Sequence, residues 1–267
     1  MNKIKRYIEA NREAWEEAFD YHERAKGREW LENFSSRDYT TFSPFEKDIY
    51  SRLDLRGRSV VQAPCNNGRE IISLLNLGAE YGSGFDISGK NITFANKLKE
   101  VSDSNVDFYR SDVYEIDEKH FGRFDIGIIS VGSFNWMPNL KEYLEVYKNL
   151  LKEGGELLIL EMHPITTVFP YSLQGKQEII FEESYFNRSP YRSNQSLDYY
   201  GGTEYRSRDK YEFQHTMGDI IQTLVELDLQ IAEFEEHPED LGGGHEYLEE
   251  GEMIPLSYHL WAKKKSK

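Results

Sequence analysis

Three groups of residues in this chain are placed to do chemistry on a bound small molecule. The first is the turn Ala63-Pro64-Cys65-Asn66-Asn67-Gly68, which follows the apolar run Ser59-Val60-Val61-Gln62 and precedes a helical pattern opening at Arg69-Glu70-Ile71-Ile72. Backbone amides at such a strand-to-helix turn face whatever lies beyond the strand tip. The second is Asp86, closing the run Gly84-Phe85-Asp86. It lies roughly twenty residues further on, the spacing at which a βαβ unit brings a carboxylate to both hydroxyls of a ribose. The third group is two histidines. His163 follows Glu161-Met162 at the end of an apolar run, and His215 opens the helix start Thr216-Met217-Gly218-Asp219. A neutral imidazole, with a reference pKa of about 6.5, takes a proton from a hydroxyl or amine near neutral pH.

Each of these residues also has a plainer reading. Asp86 also suits a strand-end cap, and Ser111-Asp112-Val113 an ordinary turn. His163 equally suits an imidazole satisfied by backbone ahead of Pro164, and His215 a capping or packing residue. Cys65 has no thiolate-stabilising partner in the sequence and reads as a small buried loop residue. His22 sits in the N-terminal helical part, where a role in the site requires that part to fold over the cleft. His120, His237, His245 and His259 show no ligand spacing, so no metal site is expected.

The elements that must position these groups follow from pattern. Residues 2–27 place Ile4, Tyr7, Ile8, Ala14, Trp15, Ala18 and Phe19 at helical spacing, and Ser43-Pro44 opens another helix. From residue 59 the chain alternates. Strands are expected at 60–63, 80–85, 106–109, 124–130 and 156–162, with helices at 69–77, 88–100 and 139–151 and a Gly154-Gly155 turn. That alternation implies a parallel sheet with right-handed crossovers. It stops at His163-Pro164. Residues 164–215 read as an insertion with two β-like runs, Glu178 to Phe181 and Thr203 to Tyr205. A helix at 217–227 and strands at 229–234 and 256–262 complete the pattern, around a Gly242-Gly243-Gly244 loop. The chain therefore divides into an N-terminal helical cap (1–55), a core (56–163 and 216–267) and the inserted segment (164–215). Tyr171, Tyr185, Tyr191, Tyr199, Tyr200 and Tyr205 of the insertion suit an aromatic pocket wall or the interface of a homodimer.

Composition narrows the function. A formal net charge of −15 argues against nucleic acid, whose binding is dominated by Lys and Arg neutralising phosphates. The cluster Lys263-Lys264-Lys265 reads as a solvated tail, and Glu235-Glu236 and Glu249-Glu250 as solvated faces. No apolar run approaches the roughly 20 residues that span a bilayer. With a single cysteine the chain suits a reducing cytosol, so a cytoplasmic protein with a small-molecule partner is expected.

The series resembles class I S-adenosylmethionine-dependent methyltransferases over residues 56–163 and 216–263, and within them a bacterial small-molecule branch with a degenerate glycine loop. The resemblance implies a Rossmann-like, doubly wound, mostly parallel seven-stranded sheet and S-adenosylmethionine as cofactor. It places Ala63, Cys65, Asn67 and Gly68 in the cofactor loop, Asp86 and Ile87 at the ribose, Asp112 and Val113 at the adenine, and Ser130 under the methionine part. The His-Pro after the fifth strand and the aromatic insert are shared traits. His163, and behind it His215, are the catalytic candidates; Trp136, Tyr185 and Tyr205 are the substrate-binding ones. Methyl transfer to an oxygen or nitrogen of a small molecule is the expected activity, with a non-catalytic nucleoside-binding regulator as the alternative. The chain departs from the family where Gln62 replaces the usual acid and Pro64 and Asn66 replace two glycines, so contacts at the methionine end are the ones placed in question.

Overall fold

The computed structural model describes residues 3–171 and 179–266. The N-terminal part forms a nearly continuous rod. Helix α1 (Lys3–His22) passes through a π-helical turn, Glu23–Gly27, into α2 (Arg28–Phe34). The buried positions of α1 are Asn11, Ala14, Ala18, Phe19 and His22, a stripe at helical spacing that lies against the core. Helix α3 (Pro44–Ser51) opens with a capping box: Ser43 Oγ accepts from the Glu46 amide at 3.2 Å, and the Glu46 carboxylate accepts from the Ser43 amide at 2.7 Å.

Among the described residues the strands are β1 (Ser59–Gln62), β2 (Tyr81–Asp86), β3 (Val106–Arg110), β4 (Phe124–Ile129), β5 (Leu151–Met162), β6 (Tyr191–Ser193), β7 (Lys210–Glu212), β8 (Leu229–His237) and β9 (Ser257–Lys264). Seven of them form one sheet in the order β3-β2-β1-β4-β5-β9-β8. β1 to β5 are parallel, while β9 pairs antiparallel with both β5 and β8. Helices α4 (Arg69–Asn76), α5 (Gly89–Ser102) and α6 (Leu140–Leu150) make the crossovers, and α7 (Met217–Glu226) leads into β8. Strand alternation splits the core by sheet face. Val60, Ile126, Leu158 and Leu160 pack with α2 to α5, and Val61, Ile129, Leu157 and Ile159 pack with α6 and α7. The fold is the mostly parallel, doubly wound sheet implied by the sequence, and the order reverses between β1 and β4, where such sheets place ligands.

The local differences have physical causes. Gly154-Gly155 is not a turn ahead of the strand. β5 already pairs at Leu151 with Phe124 and resumes at Glu156 with Ile126, so the glycines lie in a bulge, with Gly154 at φ +75°. Glu178 lies outside the described residues, and 179–181 and 203–205 form no strand. The insertion instead pairs β6 with β7, a two-stranded ribbon docked on α1 by Asn11, whose amide donates to Tyr211 O (2.8 Å) and accepts from Tyr211 N (2.7 Å). The lysine cluster is part of an ordered strand end: Lys263 pairs with Glu156 (3.1 Å) and Lys264 donates to Leu151 O (2.8 Å). No helix among the described residues is long and apolar enough to cross a membrane.

Candidate active site

The loop after β1 is held from below by two tyrosines one helical turn apart on α6. Tyr143 donates to Ala63 O (2.9 Å), and the Tyr147 hydroxyl accepts from Ala63 N (2.9 Å) and lies 2.6 Å from Ile128 O. Gly127 permits this, because a Cβ there would meet the Tyr147 ring at 2.7 Å. Gly84 is needed for a similar reason: a Cβ would lie 2.7 Å from both Cys65 Sγ and the Phe108 ring. Cys65 is buried, and burial pushes its thiol well above the usual range, so the sulfur fills space. Asn66 adopts a left-handed conformation (φ +49°), and Gly68 caps α4 at φ +80° with the Phe108 ring 2.5 Å from where a Cβ would stand.

Asp86 closes the loop from the β2 side. Its carboxylate accepts from Asn66 N (2.9 Å) and Ser88 N (2.8 Å), and burial, only partly offset by these bonds, pushes its pKa up to about 7. Ile87 is half-buried beside it. At the tip of β3, Asp112 accepts from Tyr114 N (3.1 Å), next to buried Val113, and burial raises its pKa. At β4, Ser130 Oγ accepts from Gln62 Nε2 (2.9 Å).

Several residues that pattern alone did not single out complete this edge. Gln62 Nε2 also donates to Glu70 in the first turn of α4, while buried Gln62 Oε1 has no hydrogen-bond partner. Arg69 gathers three segments: its guanidinium lies 4.2 Å over Trp30, 3.0 Å from Asn67 Oδ1 and 3.1 Å from Thr41 Oγ1, and it bonds the Tyr200 hydroxyl. Glu161, buried at the end of β5, accepts from the amides of Ser133 (2.8 Å), Phe134 (3.1 Å) and Met162 (2.9 Å), and also from Gly132. Burial raises it to about 7 against those bonds. A carboxylate two residues before His163, on a strand that ends at the sheet's carboxyl edge, is the signal that marks it in the sequence.

Both expected histidines are engaged. His163 Nδ1 accepts from Ile165 N (3.1 Å) and Nε2 lies 3.0 Å from Glu236 Oε1. His215 Nε2 lies 2.8 Å from Met137 O. Burial lowers the pKa of both. The Tyr185 hydroxyl accepts from Met217 N (2.9 Å) at the start of α7, and Tyr205 stacks on Tyr21 at 4.2 Å. Trp136 meets Trp15 of α1 edge-on at 5.3 Å, so the N-terminal helix does reach the loop after β4. His22 comes with it. Its Nε2 bonds Leu197 O at 2.7 Å, and its ring packs against Tyr199 (4.6 Å) and Tyr200 (4.9 Å).

Residues 61–157 match the family described as a methyltransferase domain. An uncharacterized protein of Haemophilus influenzae is 25% identical over 189 residues, covering 68% of this chain and 71% of its own. The crystal structure of an S-adenosylmethionine-dependent methyltransferase from Mesorhizobium loti superposes with TM-score 0.58 at 19% identity, over 81% of this chain and 96% of that one. A geranyl diphosphate C-methyltransferase from Streptomyces coelicolor, solved with Mg2+, geranyl diphosphate and S-adenosyl-L-homocysteine, superposes with TM-score 0.55 at 10% identity over 82% and 77% of the two chains. Residues 61–157 thus carry a methyltransferase domain, on a fold shared with S-adenosylmethionine-dependent methyltransferases.

The residues of the methyltransferase fit S-adenosylmethionine. Asp86 accepts from Asn66 N, Ser88 N and, at 3.5 Å, Asn91 Nδ2, and when ionised could still accept from a ribose hydroxyl. At the other end, Gln62 Oε1, buried with no hydrogen-bond partner, and the Glu70 carboxylate that accepts from Gln62 Nε2 could accept from an ammonium group. Glu70 of α4 thus sets a carboxylate beside Gln62, at the end of β1.

Proposed function

We propose that this methyltransferase alkylates an oxygen or nitrogen of a small, flat organic acceptor held under α1, between the loop after β4 and the 164–215 insertion. The observation that carries this reading is Tyr199. Its ring meets Trp15 (6.5 Å), His22 (4.6 Å) and Tyr200 (4.4 Å) while 55% of its surface stays exposed. An exposed ring face held in such an aromatic cluster suits stacking by a planar acceptor.

The cofactor supplies an electrophilic methyl group on a sulfonium, so little beyond alignment is asked of the protein. Trp15, Trp136, Tyr199 and Tyr200 orient the acceptor and keep water out. Proton removal falls to His22. The Leu197 carbonyl can only accept, so Nε2 carries the ring proton; burial keeps the imidazole neutral, and Nδ1 is left with its lone pair. His163 and His215, whose rings already bond protein groups, are read as holding the β5 exit and the start of α7.

The test is an acceptor screen with phenols, heteroaryl alcohols and amines, scored by release of S-adenosylhomocysteine. Turnover with one of these classes, reduced about 10²-fold in His22→Gln with cofactor binding intact, supports the reading. A carbon acceptor as the only substrate, or His22→Gln turning over like the parent, defeats it.

A further inference from the structure

The last hairpin of the sheet brings together groups that lie far apart in the sequence. Glu235 on β8 pairs directly with His259 on β9, and His237, two residues further along β8 on the same side, reaches the same spot. His237 Nε2 and His259 Nδ1 face each other at 2.8 Å, and one nitrogen of each ring lies within 4.8 Å of a Glu235 carboxylate oxygen. The two imidazoles are buried, and Glu235 is exposed.

We propose that Glu235, His237 and His259 form a binding site for a divalent transition-metal ion of the zinc type, with a water completing the shell. Two imidazoles and one carboxylate are a common three-ligand set for such an ion. The second support lies behind the ligands. His259 Nε2 bonds Glu233 Oε1 at 2.9 Å, which fixes the proton on Nε2 and turns the Nδ1 lone pair toward the site. A carboxylate behind a ligating histidine is the usual device for holding its tautomer and raising its basicity. The histidines stand nearly parallel, 16° apart, with the Phe45 ring of α3 5.0 Å from that of His237. Tetrahedral bonds of about 2.1 Å set two ligand nitrogens roughly 3.4 Å apart, so only a small opening of the present pair is needed. Arg52 also faces the site, 3.1 Å from Glu233 and 3.2 Å from Glu235, and an entering ion takes its place on Glu235.

Sequence spacing does not reveal this set, because 22 residues separate its histidines and the pairing of β8 with β9 closes the distance. The site ties the two outermost strands together beside α3, on the far side of β9 from β5, so it acts as a clamp on the end of the sheet.

The experiment uses the full chain after EDTA treatment and dialysis. Zinc chloride is titrated in by calorimetry, and Co2+ is followed by visible absorption. The expected result is one ion per chain at micromolar or tighter affinity, a rise in the thermal midpoint with zinc, and the intense Co2+ bands of a four-coordinate site. Glu235→Gln, at an exposed position, should fold normally by circular dichroism and bind about tenfold more weakly; His237→Gln should lose about 100-fold. The absence of a one-to-one isotherm overturns the proposal, as does zinc affinity unchanged in Glu235→Gln or a Co2+ spectrum of the weak, six-coordinate kind.

Discussion

The two ends of the cofactor edge are built on different principles. At the adenosine end, Asp86 and Asp112 sit at strand tips, and each carboxylate is held by amides no more than twenty residues away. At the methionine and acceptor end, Gln62, Glu70 and Arg69 work with Thr41 and Trp30 of the cap and Tyr200 of the insertion, so three separate segments must converge. The first arrangement follows from one βαβ unit. The second exists only once the chain has folded, which leaves it free to change with the acceptor.

The largest effect is expected where the adenosine end has no room. Gly68→Val forces a side chain at φ +80° into the Phe108 ring, 2.5 Å from the Cβ position. Strain and overpacking together should remove about 3 kcal/mol or more. A fall in thermal midpoint of several degrees with loss of S-adenosylhomocysteine binding is expected, and an unchanged melt would mean that the loop is soft. Next comes Asp86→Ala, which should weaken S-adenosylhomocysteine by about 1.5–3 kcal/mol in calorimetry.

Asp86 also gives the adenosine end a pH signature. Two ribose hydroxyls can donate only if the carboxyl is ionised, and in the free protein its pKa stands at about 7. Cofactor affinity should therefore rise between pH 6 and 8 and level off above, and Asp86→Asn should flatten that profile (pH range set by the carboxyl pKa of about 7). Stability runs the other way. The folded pKa of Asp86, and that of Glu161, also about 7, lie above the ordinary carboxylate range, so the folded state holds protons that the unfolded chain releases. The contribution is complete below the ordinary carboxylate pKa and is lost as pH rises through about 7. Urea midpoints of the free protein at pH 5 and pH 8 measure this, and equal midpoints would contradict it.

The methionine end separates from the adenosine end by choice of ligand. Glu70→Gln removes the carboxylate that accepts from Gln62 Nε2 and would face the amino-acid part of the cofactor. It should lower affinity for S-adenosylhomocysteine about tenfold, the scale of one charge-assisted hydrogen bond, and leave methylthioadenosine binding as it was. Equal losses for both ligands would place Glu70 in the general architecture of the loop.

What the sequence showed follows the same division. The βαβ series, Asp86 and the Ser43-Pro44 helix start were legible because each is a local rule: strand, turn, helix, cap. Asn66, standing where the family has a glycine, adopts a positive φ that asparagine tolerates. His22, Arg69 and Glu70 were harder to weigh, because their partners lie up to 175 residues away. The β-like runs misled where they are described, at 179–181 and 203–205, because residue preference sets no strand without a partner edge. The exposure of Phe181, at 80%, shows that no partner strand covers that part of the insertion.

The smallest effect concerns how the cap is held. α1 is fastened along its polar side by Asp20 to Lys90 (2.6 Å), Glu13 to Arg208 (2.9 Å) and Lys5 to Glu115 (3.0 Å), and by the Glu16 carboxylate on the Gly89 amide (2.7 Å). The three ion pairs are exposed, and such pairs contribute only about 0.2–1 kcal/mol each and weaken with salt. The aromatic contacts of Trp15 with Trp136 and of His22 with Tyr199 and Tyr200 do not depend on salt. Raising NaCl from about 0.05 to 0.5 M, a range over which the Debye length shrinks several-fold, should therefore loosen the cap without releasing it. The KM for the acceptor should rise two- to threefold while cofactor affinity, carried by Asp86 and the β1 loop, stays constant. Lys90→Ala combined with Arg208→Ala should reproduce the high-salt KM at low salt. Cofactor affinity that fell in step with the acceptor's would mean that α1 holds both ends of the edge, and the division drawn between them would not stand.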